Sequence, residues 1–219
     1  MPSGSSPECP AILYQDPWLL VVLKPSGLLS QPGRGDHLQD SLITRLQSLS
    51  EDLHLVHRLD RDTSGLVLVA RGLDSLRRCS ALFANRRVNK LYEAEVTGQL
   101  QGRGRIDSRL ARLERDPPRY GDHPQGRPAT TLWRVRERQA DSTTLWLRPL
   151  TGRSHQLRAH LAGIGHPILG DPIYGEAGTT PLRLHARALG FQHPFTRCRL
   201  RVSTGQNDDH PGAQGIRLT

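Results

Sequence analysis

His57-Arg58-Leu59-Asp60-Arg61-Asp62-Thr63-Ser64-Gly65 runs directly into Leu66-Val67-Leu68-Val69-Ala70. The second stretch is a short, unbroken apolar run bounded by polar residues, which predicts a strand buried on both faces. The first gathers acids and bases into a loop that this strand would hold still, and rigidly held loops are where binding and catalytic groups concentrate. Upstream, Ile12–Tyr14 and Leu19–Leu23 read as short strands broken by the Asp16-Pro17 turn, and Lys24-Pro25-Ser26-Gly27 and Gln31-Pro32-Gly33-Arg34-Gly35 read as loop. Asp40 is a candidate N-cap for a helix that places Leu42, Ile43, Leu46 and Leu49 on one face. Downstream, a second helix is expected from Asp74 to Asn85 with Leu76, Cys79, Leu82 and Phe83 inward, followed by a strand on which Tyr92, Ala94 and Val96 alternate.

From Gln101 to Pro128 the pattern suggests a strand pair around Asp116-Pro117-Pro118. Strands are then expected at Thr130–Val135 and Thr143–Leu147, a third helix at Ser154–Ile164, and closing strands near Arg183–Phe191 and Cys198–Val202. Many strands, few helices and short connections imply an α+β fold, with a mixed, largely antiparallel β-sheet and flanking helices and loops. One domain over residues 11–204 is expected, with residues 1–10 a disordered tail and 205–219 a loose one.

The net charge is +9, and all but two of the 30 basic residues are arginine, the exceptions being Lys24 and Lys90. Such a balance favours a polyanionic partner, and guanidinium groups pair bidentately with phosphate and stack on bases. Genome-wide codon bias explains the arginine excess equally well, but not the net charge. Cys9, Cys79 and Cys198 are scattered, without the spacing of a zinc site or a disulfide framework. No apolar run reaches the length of a membrane span, and the first residues lack the pattern of a signal peptide. The reading is a cytoplasmic monomer with no membrane partner.

Three constellations carry possible chemistry. Asp60 stands between Arg58 and Arg61, whose charge favours its ionised form; it is either a nucleophile or general base, or a loop cap and ion-pair partner. Asp60 and Asp62 together could bind a divalent cation, but no further ligand lies nearby in sequence. In Thr151-Gly152-Arg153-Ser154-His155-Gln156-Leu157-Arg158-Ala159-His160-Leu161, helical spacing turns Leu157, Leu161 and Ile164 to the core. His155, Arg158, Ala159 and Ala162 then share another face, either an anion-binding helix start or an ordinary solvated surface. Tyr92 reads as a core aromatic.

Taken together these stretches resemble the RluA family of pseudouridine synthases. His57-Arg58-Leu59-Asp60 with Thr63-Ser64-Gly65 is similar to the family's catalytic motif, Lys90-Leu91-Tyr92-Glu93-Ala94 to its tyrosine strand, and Thr151–His160 with Gly165–Tyr174 to its third motif. Ile12–Asp16, Lys24–Ser30 and Pro32-Gly33-Arg34 are similar to its short branch, which lacks an S4 RNA-binding domain. The stretch Arg112–Gly126 departs from that branch in being shorter and less regular. The resemblance implies the pseudouridine synthase fold and isomerisation of uridine in ribosomal RNA, in a tRNA anticodon stem-loop, or in both, without cofactor or metal. It implies Asp60 as catalytic carboxylate, Tyr92 against the uracil and assisting at the C5 proton, and Arg158 paired with Asp60. Arg58 would replace the flipped base in its stack, and Arg34, Lys90, Arg153 and His155 would contact the RNA. The run Arg183, Arg187, Arg197, Arg199 and Arg201 either extends the basic surface or is an ordinary solvated strand face.

Overall fold

A computed structural model describes residues 9–176 and 180–205, so most of the two expected tails lies outside the described residues. The apolar run Leu66–Ala70 lies in strand β4 (Ser64–Arg71), and every residue from Gly65 to Ala70 is buried. Its side chains alternate between two cores, as the period of a strand requires. Val67 and Val69 pack with Leu20 and Val22 of β2 (Leu19–Lys24) and with Leu42 and Leu46 of helix α1 (Leu42–Gln47). Leu66 and Leu68 pack with Leu19 and Val21 of β2 and with Cys79 of helix α2 (Gly72–Ala84). A helix therefore seals each face of β4, which is why its sequence is apolar throughout.

The other strands are β1 (Ile12–Gln15), β3 (Leu53–Leu55), β5 (Asn89–Thr97), β6 (Arg103–Arg115), β7 (Pro118–Asp122), β8 (Arg127–Arg138), β9 (Ser142–Pro149), β10 (Leu184–Gln192) and β11 (Arg199–Ser203). They form one sheet in the order β1-β2-β4-β10-β5-β9-β8-β6-β7, with β3 added to β4 and β11 to β10. Every pairing is antiparallel except β4 with β10, where Ser64 meets His185 and Gly65 meets Ala186. Gly65 has φ +119°, and a Cβ there would lie 2.4 Å from the backbone of Ala186, so only glycine lets β10 dock at this point. Tyr92 of β5 faces the same Ala186 from the other side. Gly65, Ala186 and Tyr92 thus share one rung, and only the small Ala186 separates the tyrosine's strand from the end of the His57–Gly65 loop.

Several expectations need correction. Helix α1 is capped by Ser41, whose hydroxyl accepts the Thr44 N–H, while the Thr44 hydroxyl accepts the Ser41 N–H. Asp40 instead binds Arg45 through two hydrogen bonds, and the helix stops at Gln47, leaving Leu49 exposed. Helix α3 (Gln156–Gly163) lacks the polar, solvated face that its periodicity suggested: Gln156 through Leu161 are all buried between sheet and loops, while Gly163 and, just past the helix, Ile164 are exposed. Periodicity failed here because the polar side chains are neutralised by buried partners rather than by water. The strand pair expected around Asp116-Pro117-Pro118 is the β6–β7 hairpin, with one bulge near Arg112.

Candidate active site

The His57–Gly65 loop is fastened from beneath. Lys24 is fully buried at the end of β2, and its ammonium donates to the carbonyls of Pro25 (2.8 Å), Leu28 (2.7 Å) and Arg61 (2.7 Å). All three of its donors are used. Burial pulls its pKa down to about 8, against the opposing pull of Asp62 and Asp60. The Ser30 hydroxyl donates to the Leu59 carbonyl (2.7 Å) and accepts the Leu59 N–H (3.1 Å). His57 stacks on Phe83 and its Nε2 accepts the Leu68 N–H (3.0 Å), so it anchors the loop to β4 as a neutral ring. Burial first, then the charge of Lys90, depresses its pKa to about 3, although its hydrogen bond to the Arg58 backbone opposes this.

The loop so held presents Asp60 to a cavity of about 290 Å³, at the small end of ligand sites. Asp60, Arg58, Tyr92 and Lys90 line it together with Arg153, His155 and Arg158. Arg34 is exposed and outside that wall. The cations beside Asp60 are not its sequence neighbours. Arg61 turns to Asp62 (3.0 Å) and Arg58 is exposed, whereas Arg158 Nη1 comes within 3.7 Å of Asp60 Oδ2 and His155 Nε2 within 4.0 Å.

Arg158 is 2 % exposed, and its principal partner is Asp171, a residue given no role in the sequence reading. Nε and Nη2 donate to the two Asp171 oxygens at 2.7 Å each, a bidentate pair that fixes the guanidinium plane and leaves Nη1 for Asp60. Asp171 also accepts the N–H groups of Ile173 (2.9 Å) and Tyr174 (3.1 Å). Burial alone would raise its pKa, but Arg158 and these backbone donors outweigh it and hold the carboxyl below its usual value. The local signal was an Asp before Pro172 and the two N–H groups it gathers, an Asx-type turn. Its pairing with Arg158 is visible only in three dimensions.

Tyr92 stands on β5 with its ring against two cores. Burial first, and the Asp60 carboxylate second, raise its pKa, so its phenol stays protonated near neutral pH. Lys90 donates to the Thr151 carbonyl (3.0 Å), and burial lowers its pKa to about 8. Gln156 shapes the Thr151–Ser154 loop: its Oε1 accepts from the Thr151 hydroxyl (2.6 Å) and the Arg153 N–H (3.1 Å), and its Nε2 donates to the Thr130 carbonyl and the Thr131 hydroxyl (3.0 Å each). Of the basic run near the end of the chain, Arg183, Arg197, Arg199 and Arg201 are exposed, while Arg187 turns toward Thr204 (3.2 Å) and Glu93 (4.0 Å).

Residues 18–163 match the family model described as RNA pseudouridylate synthase. The dual-specificity RNA pseudouridine synthase RluA of Yersinia pestis is 43 % identical over 190 residues, covering 84 % of this chain and 92 % of that protein. The chain belongs to the RluA family of RNA pseudouridine synthases. The RluA of Escherichia coli strain K12, likewise a dual-specificity RNA pseudouridine synthase, is 42 % identical, with 84 % of this chain and 87 % of that one covered. Among solved structures, human RNA pseudouridylate synthase domain containing 1 superposes with a TM-score of 0.76 at 28 % identity, over 90 % of this chain and 83 % of that one. The sheet described above is accordingly the pseudouridine synthase fold, and the RluA-type enzyme is an isomerase acting on RNA. Among the described residues no helix is long and apolar enough to cross a membrane.

Proposed function

We propose that this enzyme isomerises uridine in large-subunit ribosomal RNA, in a tRNA anticodon stem-loop, or in both, with Asp60 as its catalytic carboxylate. The observation that carries the reading is the Asp60 side chain at a base-sized cavity, 3.7 Å from a guanidinium whose other edge is fixed by Asp171. Preorganised charge of this kind stabilises an ionised carboxylate without reorganisation during reaction. In the reaction the N1–C1′ bond breaks, the uracil turns, C5 bonds to C1′, and the proton from C5 is replaced by one on N1. Asp60 either attacks the sugar or base, or removes a sugar proton. Tyr92 packs along the uracil with its phenol protonated at rest, so it enters first as a hydrogen-bond donor and not as a free base. A uridine stacked in a helix cannot reach the cavity, which requires flipping. Arg58, exposed at the cavity mouth, fills the vacated stack. Lys90 and Arg153 meet phosphates at the wall, and Arg34 meets the RNA further from the target. We take the enzyme to be a cytoplasmic monomer.

The test is incubation with RNA tritiated at uridine C5, in EDTA. Wild type is expected to release tritium and Asp60→Asn none, with RNA binding within about threefold, since a neutral amide removes the reacting charge and not the phosphate contacts. Strand scission that needs Mg²⁺, or tight binding without tritium release, would refute the proposal.

A further inference from the structure

A chain of contacts leads from the β6–β7 hairpin to Asp60, and Tyr174 is its hub. The Tyr174 hydroxyl oxygen accepts the Tyr120 backbone N–H at 2.7 Å and lies 3.2 Å from His155 Nδ1. Its ring lies under the Arg158 guanidinium, 5.2 Å from the centroid. The other ring nitrogen of His155, Nε2, is 4.0 Å from Asp60 Oδ2.

These contacts select a tautomer. A phenol has one proton, and the Tyr120 N–H takes up acceptor capacity on the Tyr174 oxygen, so the phenolic proton serves best by pointing to His155 Nδ1. Nδ1 is then the acceptor, and Nε2 carries the hydrogen. The reverse arrangement would face a nitrogen lone pair toward the Asp60 carboxylate and leave the Tyr174 proton without that acceptor. The backbone supplies a second observation. His155 has φ +52°, left-handed geometry uncommon for a non-glycine residue, immediately before α3. Such strain persists where the surroundings over-determine it and concentrates at functional sites. Burial first, with Arg158 adding to it and Asp60 opposing, holds the His155 pKa below its ordinary value, in keeping with a neutral ring. A neutral ring turned toward a carboxylate is poorly suited to the phosphate contact expected from the sequence.

We propose that His155 is a positioning residue, a neutral Nε2–H donor set by Tyr174 that, with Arg158, orients the Asp60 carboxylate. The inference rests on the reading of Asp60 as the reacting group. The 4.0 Å separation closes to a hydrogen bond when RNA fills the site, as catalytic contacts commonly tighten on substrate binding.

The experiment has two arms. In the first, ¹⁵N-histidine NMR of the full-length wild-type protein at pH 7 should assign His155 the Nε2–H tautomer; an Nδ1–H or doubly protonated ring overturns the proposal, whatever the enzyme's activity. In the second, single-turnover tritium release and RNA affinity are compared across variants. Asparagine tolerates left-handed backbone, but its amide is too short to reach Asp60; a glutamine amide nitrogen falls near the position of Nε2. His155→Asn should slow turnover about 10- to 100-fold with affinity changed less than about twofold, and His155→Gln should recover much of the rate. Tyr174→Phe should slow turnover in the same sense. Asparagine at wild-type rate, glutamine no better than asparagine, or a loss confined to affinity would each overturn the positioning role. Absence of tritium release from wild type would instead refute the isomerase reading, and the NMR arm would still decide the tautomer.

Discussion

Arg158 divides its guanidinium between two carboxylates, two nitrogens for Asp171 and the third directed to Asp60. Asp171 and Arg158 are both essentially inaccessible, so removing one charge strands the other in a medium that solvates it poorly. Asp171→Asn should therefore destabilise the fold by about 3–5 kcal/mol and also slow isomerisation, read from the urea midpoint and from tritium release. Asp62→Asn is the matched control. Its partner Arg61 is largely exposed, and the loss should stay under about 1 kcal/mol. Equal losses for the two variants would show that burial does not govern the Arg158 pair. At this scale Asp60 was legible, because an acid in a polar loop ahead of a buried strand is a local pattern. Asp171 was not, because it lies 13 residues from its partner across a helix end and a turn.

Helix α3 ties the cavity wall to the sheet through polar side chains that face inward. His160 is 2 % exposed and its Nε2 lies 3.0 Å from the Ser108 hydroxyl on β6. Burial, only partly offset by Asp107 and Asp122, presses its pKa down from 6.5 to about 4. Between those values the unfolded chain binds the proton more readily than the folded one, so stability is fully present above about pH 6.5 and falls as pH drops toward 4. The loss amounts to about 3 kcal/mol over that window. Urea midpoints at pH 7.0 and about 4.5 should differ accordingly, and His160→Gln should reduce the difference without abolishing it. His57, with its pKa pressed to about 3, adds in the same direction. Carboxylates such as Asp171 release their contribution only below about pH 4, which separates the two causes. A midpoint unchanged from pH 7.0 to about 4.5 would contradict this account. The element itself was legible from its apolar spacing. Its complete burial was not, since periodicity assigns polar residues to water and has no knowledge of a buried partner.

Over the whole molecule the net charge of +9 is unevenly placed. Arg58, Lys90 and Arg153 gather at one cavity, whereas Arg61, Arg105 and Arg136 are paired with carboxylates. If Lys90 and Arg153 at the cavity and Arg34 beyond it contact phosphates, log affinity should fall with log salt at a slope of about −2 to −3. Arg153→Ala should reduce that slope by about one contact, while Asp60→Asn should leave it unchanged. A slope near zero in filter-binding titrations from low to physiological salt would remove the phosphate contacts from the proposal.

Local pattern determined most of the elements: the two-sided apolar run of β4, the alternation of β5 and the amphipathic face of α2 are periodicities that the chain carries wherever it folds. The motifs in their order likewise pointed to Asp60, Tyr92 and Arg158, which the fold brings to one cavity. Tertiary structure alone decided that β10 inserts between β4 and β5, joining Ser64 to His185 across 121 positions. It also decided that Lys24 clamps the His57–Gly65 loop, that Asp171 holds Arg158, and that the Tyr174 hydroxyl lies between His155 and the Tyr120 backbone. The physical reason is common to all four. Spacing along a chain encodes which face a side chain takes, but the fate of a buried polar or charged group depends on which distant partner arrives to satisfy it.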